Sequence, residues 1–318
     1  MTREADDNPA RHLSVMLAET LRYLAPERGG LFADGTLGLG GHSEAILEAA
    51  PNARVIGFDL DQEALALASQ RLARFGERFR AVHANFADLA RVADELGEPA
   101  FDGVLVDLGV SSLQFDSPQR GFSFRYDAPL DMRLDGGGAT ETAAELLARL
   151  PETEIARVIF EYGEERHSRK IARRIVARRE RGEPVRTTGA LADLVWGVNR
   201  PTKRDAIHPA TRTFQALRIA VNGELENLER LLPAALARLA PGGRFVAISF
   251  HSLEDRIVKR ALRRAAGQCE CPPRQPFCAC GARRLVEILT KRPVIPDEAE
   301  NNANPRARSA KLRACQRL

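Results

Sequence analysis

The sequence predicts an α/β fold with a Rossmann-like core interrupted by an inserted helical domain. Three observations predict it. Short apolar runs alternate with segments of helical periodicity as far as Asp107, a glycine-dense loop joins the first run to the first helix, and the alternation stops after Asp107 to resume only near residue 244. Strands that alternate with helices build a parallel sheet with helices on its faces.

The expected strands of the first third are residues 31–34, 54–59, 79–82 and 102–107, each an apolar run ending in a polar or Gly-rich turn. Between them, residues 43–50 and 61–75 place apolar side chains at helical spacing, with Leu65, Ala68 and Leu72 on one face, and residues 86–96 form a third expected helix. Residues 114–138, rich in Gly, Pro, Asp and Arg, read as a long loop, and residues 140–198 as successive helices with no strand. One long helix is expected over 211–239, bent at Pro233, followed by Pro241-Gly242-Gly243 and a strong strand over 244–250. A helix over 252–266, a cysteine-rich loop, a strand over 285–290 and a polar, basic C-terminal segment complete the chain. The expected division is a discontinuous core, 12–113 with 218–318, around an insert of 114–217.

With 318 residues, 44% of them hydrophobic, the chain can bury a large core without staples. Its first thirty residues hold no signal-peptide core and no stretch approaches about 18 uninterrupted apolar residues, so a cytoplasmic protein without a membrane span is expected. All five cysteines fall after residue 268, which is no disulfide framework and fits a reducing compartment. Charge is unevenly placed: residues 166–218 hold 14 Arg/Lys against 4 Asp/Glu, a local +10 that leaves −6 on the rest of a chain of net charge +4. A basic surface on an acidic body suits a polyanion.

The loop Asp34-Gly35-Thr36-Leu37-Gly38-Leu39-Gly40-Gly41-His42-Ser43 follows the first strand and opens the first helix. Its glycines permit positive φ and close approach of backbone amides to a ligand. The second strand ends in Gly57-Phe58-Asp59-Leu60-Asp61, which sets a carboxylate about 20 residues downstream, where a ribose diol lies in nucleotide-binding folds. Asp59, at the strand end, is the ribose candidate, and Asp61 the cap of the next helix. In the dinucleotide spacing counted from Gly38 the third glycine position is Ser43. With the interrupted βα pattern, this favours S-adenosylmethionine over NAD and a class I methyltransferase core over a dehydrogenase.

At this point the chain resembles the bacterial family of small-subunit (16S) ribosomal RNA cytidine-N4 methyltransferases (RsmH/MraW). The resemblance rests on His12-Leu13-Ser14-Val15-Met16-Leu17, the loop 35–43, Asp107-Leu108-Gly109-Val110-Ser111-Ser112, Gln114, Arg120-Gly121-Phe122-Ser123-Phe124, Pro129-Leu130-Asp131-Met132-Arg133, Arg212-Thr213-Phe214-Gln215-Ala216-Leu217-Arg218 and Ser249-Phe250-His251-Ser252-Leu253-Glu254-Asp255-Arg256. It implies a cytidine in the decoding centre of the small subunit as target. It implies cofactor contacts from Gly40, Gly41 and His42, the ribose on Asp59, adenine packed on Phe86, and Asp107 and Gln114 at the methionine end. The residues themselves independently select Gly40, Gly41, Asp59 and Asp107, but neither His42 nor Gln114.

Methyl transfer from a sulfonium is an in-line displacement that depends on orientation and exclusion of water rather than on an activated protein nucleophile. The exocyclic N4 of cytosine is a poor nucleophile, and a carboxylate accepting its N–H bonds favours the reactive form. Asp107 is the catalytic candidate. Methylation at C5 would need an attacking cysteine, and none precedes residue 269. A hydrolase reading of His251, Ser252 and Asp255 lacks the Gly-x-Ser-x-Gly elbow. An NAD-dependent oxidoreductase and a noncatalytic assembly factor are the rival readings.

A target base must be unstacked to reach a buried donor, so RNA has to be held around it. Arg169, Lys170, Arg173, Arg174, Arg178 and Arg179 surround Ile171, Ile175 and Val176, a pattern suited to a helix that packs one face and offers phosphates the other. Trp196 could stack a base but is expected in the core of the insert. Cys269, Cys271, Cys278 and Cys280 form a C-x-C…C-x-C pair that could hold zinc, although structural sites usually space each pair by two or more residues. Metal binding and oligomeric state stay open at this level.

Overall fold

The computed structural model describes residues 14–137, 140–200, 208–269, 271–272, 275, 277, 279–280 and 283–318, with the side chain of Ser112 excepted. His12, Leu13 and Cys278 lie outside the described residues.

After α1 (Leu17–Leu24), the chain runs β1 (Gly30–Asp34), α2 (Gly41–Ala49), β2 (Ala53–Asp59), α3 (Gln62–Leu72), β3 (Phe79–His83), α4 (Leu89–Leu96) and β4 (Phe101–Asp107). A short α5 (Ser112–Asp116) leads into α6 (Ala143–Arg149), α7 (Glu152–Gly163), α8 (Ser168–Glu180) and α9 (Thr188–Val198). The chain then continues through α10 (Thr211–Asn222), α11 (Glu224–Arg238), β5 (Leu239–Ser249), α12 (Ser252–Ala265), β6 (Val286–Ile288), α13 (Glu298–Ala303) and β7 (Lys311–Arg317).

One seven-stranded sheet has the order β3-β2-β1-β4-β5-β7-β6. Strands β1 to β5 pair in parallel, and β7 runs antiparallel between β5 and β6. The winding reverses between β1 and β4. That reversal opens a crevice at the carboxyl ends of the strands, where ligands bind in open α/β sheets. Successive residues serve opposite layers: Leu31, Ala33, Val104 and Val106 join one buried cluster with α4, α11 and α12, whereas Phe32 and Leu105 join the other with α1 and α2. Burial on both faces is why these strands read as continuous apolar runs rather than alternating ones.

A separate cluster holds α6 to α10 together through Ile155, Ile159, Ile171, Ile175, Leu191, Val195, Phe214 and Leu217. The expected boundary between 217 and 218 therefore falls inside α10. No helix among the described residues is long and apolar enough to cross a membrane.

Four expectations need correction. The single helix over 211–239 is two helices broken at Gly223, whose left-handed φ of 58° ends α10 and starts α11, while Pro233 sits inside α11 without ending it. Strand β5 begins at Leu239, and Pro241-Gly242-Gly243 forms an irregularity within it rather than a preceding turn. The polar C-terminal segment contains a buried central strand: in β7, Leu312, Ala314 and Cys315 are buried, and Arg313, 7% exposed, pairs with Asp255 at 2.6 Å. Trp196 is 43% exposed and stacks on His208 with ring centroids 5.3 Å apart, outside the core.

Candidate active site

Three aspartates, Asp34, Asp59 and Asp107, end the neighbouring strands β1, β2 and β4. The loop after β1 is fastened to the end of β2: Leu37 N donates to Phe58 O at 2.9 Å and Gly38 N to Asp59 Oδ2 at 2.8 Å. Gly38 and Gly40 take left-handed φ of 51° and 77°, and Gly40 is the residue from which α2 starts. Asp59 Oδ1 accepts Asp61 N at 2.9 Å. Each carboxylate oxygen thus holds one N–H and keeps lone-pair capacity for a ligand hydroxyl. Burial pushes the Asp59 carboxyl up, against the pull of the Asp61 and Gly38 N–H groups, and the charges of Asp61 and Asp34 push the same way as burial.

Ser43, at the third glycine position of a dinucleotide loop, donates to the buried Asp34 at 2.7 Å. Desolvation raises the Asp34 pKa despite this bond. Asp61 caps α3 as expected by accepting Glu63 N, and its other oxygen faces Arg120 Nη1 at 2.8 Å.

These strand ends border a cavity of about 330 Å³, within the range of small-molecule sites. Gly41, His42, Asp59, Phe86, Asp107 and Gln114 all line it, whereas Gly40 does not. His42 Nε2 stands 3.5 Å from Asp107 Oδ2, close enough for charge attraction but not for a good hydrogen bond. Both ring nitrogens of His42 and Asp107 Oδ1 are buried without a hydrogen-bond partner. Burial alone would lower the His42 pKa, but Asp107, by contact and charge, together with Asp34 and Glu300, turns the shift upward. Gln114 is held in the cavity lining: its Oε1 accepts Ser111 N at 3.1 Å and its Nε2 donates to Asp61 at 3.2 Å. Those bonds brace α5.

Further lining comes from Arg218, Asn222 and Glu254, to which the sequence analysis assigns no role at the cavity. Arg218 of α10 makes two bonds of 2.8 Å to Glu224 at the start of α11. Buried Glu254 accepts Phe250 N at 2.8 Å and lies 3.1 Å from His251. Burial would raise the Glu254 pKa, but the contact and charge of His251, with Arg218, lower it overall. Asn222 accepts Leu134 N at 2.9 Å and donates to Met132 O at 2.8 Å, which ties the Pro129–Arg133 motif to the Arg212–Arg218 motif. A charged side chain such as Arg218 among apolar helix positions is the available signal for this lining. The hydrolase reading fails on geometry as well, since Ser252 donates to Glu164 at 2.6 Å and Asp255 is engaged by Arg313.

On α8, Ile171 and Ile175 are buried while Arg169, Lys170, Arg173 and Arg174 are exposed. Arg178 is half-buried, and Arg179 differs from both groups: its Nη1 donates to the carbonyls of Leu147, Ala148 and Leu150 at 3.0, 2.8 and 2.8 Å. Arg179 thereby closes the C-terminal end of α6, whose last carbonyls lack helical partners.

The family model described as the MraW methylase family matches residues 9–318. The chain is 54% identical over 309 residues to "Ribosomal RNA small subunit methyltransferase H" of Geotalea uraniireducens (strain Rf4), covering 96% of this chain and 98% of that protein. It is 55% identical over 309 residues to the protein of the same name from Geobacter sulfurreducens (strain ATCC 51573 / DSM 12127 / PCA), covering 96% and 99% of the two chains. The Heliobacterium modesticaldum (strain ATCC 51547 / Ice1) protein of that name is 51% identical over 310 residues, covering 96% and 98%.

Proposed function

The chain belongs to the MraW methylase family, and from that premise we propose that it transfers the methyl group of S-adenosylmethionine to the exocyclic N4 of a cytidine in the decoding centre of 16S ribosomal RNA. The observation that carries this reading is the set of orphaned polar atoms in the cavity. His42 Nδ1 and Nε2 and Asp107 Oδ1 are buried and unsatisfied, a costly state that a polar ligand relieves. The carboxylate of an amino-acid tail fits the His42 nitrogens and leaves Asp107 Oδ1 for the acceptor, while Asp59 keeps acceptor capacity for a ribose diol and Phe86 offers an apolar face.

S-adenosylmethionine supplies, when bound, an electrophilic methyl group on a positively charged sulfur. Asp107 serves the acceptor: its Oδ2 faces His42, and its Oδ1, free of internal bonds, accepts an N–H of the amino group and then its proton. Asp107 N donates to Thr36 Oγ1 at 2.6 Å, which fixes the strand end carrying that carboxylate. Glu254 and Arg218 shape the wall where the base enters. No described cysteine lines the cavity, which speaks against covalent attack on a ring carbon.

The substrate RNA lies, in this reading, across the insert that ends with α10, held by Arg169, Lys170, Arg173 and Arg174. Calorimetry with adenosylhomocysteine and with NADH tests the cofactor, and transfer of labelled methyl to small-subunit RNA tests the reaction. Binding of adenosylhomocysteine alone, with RNA labelled, is expected. NADH binding, or unlabelled RNA from a cofactor-binding protein, would overturn the reading.

A further inference from the structure

We propose that Cys269, Cys271 and Cys280 are ligands of a structural zinc ion that organises the loop between α12 and β6, a role independent of methyl transfer. The sulfur atoms of these three residues lie within 4.8 Å of one another. Cys269 Sγ and Cys280 Sγ are 3.7 Å apart. That separation is the edge of a zinc–thiolate tetrahedron, about 3.8 Å for Zn–S bonds of about 2.3 Å, and it is far outside the covalent distance of about 2.05 Å for a disulfide.

The backbone supports the thiolate form of the cluster. Cys271 N donates to Cys269 Sγ at 3.4 Å, and Ala279 N donates to Cys271 Sγ at 3.3 Å. N–H groups aimed at sulfur stabilise negative charge there and orient the ligands, the usual task of groups just behind a metal site. The short C-x-C spacing is no obstacle, since the sulfurs of Cys269 and Cys271 already lie within 4.8 Å of each other. Zinc favours four donors.

The loop also needs a centre. Its stems are joined where Ala266 pairs with Arg284 and Leu285 N donates to Ala265 O at 2.7 Å. Between those stems no described residue is buried, and Phe277 is 83% exposed. A segment with no apolar core gains its order from a metal in the way that small metal-bound modules do. Binding replaces the thiol protons with the ion and releases them, with no change in oxidation state. None of these residues lines the cavity.

The test is metal analysis of the full-length chain, purified under reducing conditions without chelators, by elemental mass spectrometry and by zinc release on thiol alkylation. About one zinc per chain is expected, as for a single tetrahedral site. Cys269→Ser, Cys271→Ser and Cys280→Ser should each lower it, and cobalt in place of zinc should show a thiolate-to-metal charge-transfer band. Cys315→Ala is the control: Cys315 is buried in β7, where desolvation pushes its thiol up to about 12, and its loss should leave the metal content unchanged. Adenosylhomocysteine binding reports that each variant is folded. A reduced wild-type chain that holds no zinc and takes up none from added zinc salt would overturn the proposal. So would folded serine variants with undiminished zinc, or a Cys269–Cys280 disulfide in metal-free protein.

Discussion

Asp59 Oδ2 accepts the backbone N–H of Gly38 at 2.8 Å, so the carboxylate proposed to bind a ribose also pins the loop that would surround the cofactor. Asp59→Ala should therefore weaken adenosylhomocysteine binding by about 1.5–3 kcal/mol, the range for a hydrogen bond to a charged group, and leave RNA affinity nearly intact. Calorimetry on the folded variant checks this, and unchanged cofactor affinity would reject the assignment.

Asp107→Asn keeps the shape of the strand end but removes its charge. The methyl-transfer rate should fall by about 10²-fold, comparable to loss of one positioned group at a reacting centre. Single-turnover kinetics at saturating cofactor and RNA separates this from binding. Transfer at the wild-type rate would remove Asp107 from the chemistry.

His42 carries a raised pKa, set by the balance of burial against Asp107 and the other carboxylates. Protonation is thus more favourable in the folded state than in the unfolded one. Its stabilising contribution is complete below the ordinary histidine value of about 6.5 and is lost as pH rises through the raised folded value. In urea titrations across that window the advantage of wild type over His42→Gln should shrink with rising pH; an advantage that grows would contradict the protonated histidine.

Two sets of arginines on α8 should separate. Replacing Arg169, Arg173 and Arg174 with Ala is expected to weaken RNA binding and to lower the salt slope by about 0.7–0.9 for each phosphate that the variant no longer neutralises, with stability little changed. Arg179→Ala should instead cost about 1.5–3 kcal/mol of stability, because its charged hydrogen bonds close the end of α6. Affinity across a salt series and denaturation midpoints distinguish the two, and the opposite pattern would exchange their roles.

How legible each feature is in the sequence follows from how locally it is encoded. Strands β1, β2 and β4 announce themselves because both faces are buried and their runs end in aspartates, of which Asp59 and Asp107 line the cavity, while the edge strand β3 has no fully buried residue. Strand β7 is hidden by Lys311, Arg313 and Arg317, since only the distant Asp255 makes a buried Arg313 tolerable. Within 211–239 the sequence points to Pro233 as the bend, yet a proline tolerated inside α11 is a weaker terminator there than Gly223 with its left-handed φ. Arg218, Asn222 and Glu254 reach the site from elements more than a hundred residues beyond the glycine loop, so although Arg218 and Glu254 fall within motif blocks, nothing local assigns them to the cavity. Arg179 is indistinguishable in sequence from its neighbours on α8, and only the carbonyls of α6 beside it set it apart.

The most direct test is nucleoside analysis of ribosomal RNA. Small-subunit RNA from cells lacking the gene is incubated with the purified chain and methyl-labelled S-adenosylmethionine, digested to nucleosides and separated by mass spectrometry. Label in N4-methylcytidine from a decoding-centre fragment is the expected result. Label at cytosine C5 or on another base, or no label from a chain that binds adenosylhomocysteine, would contradict it.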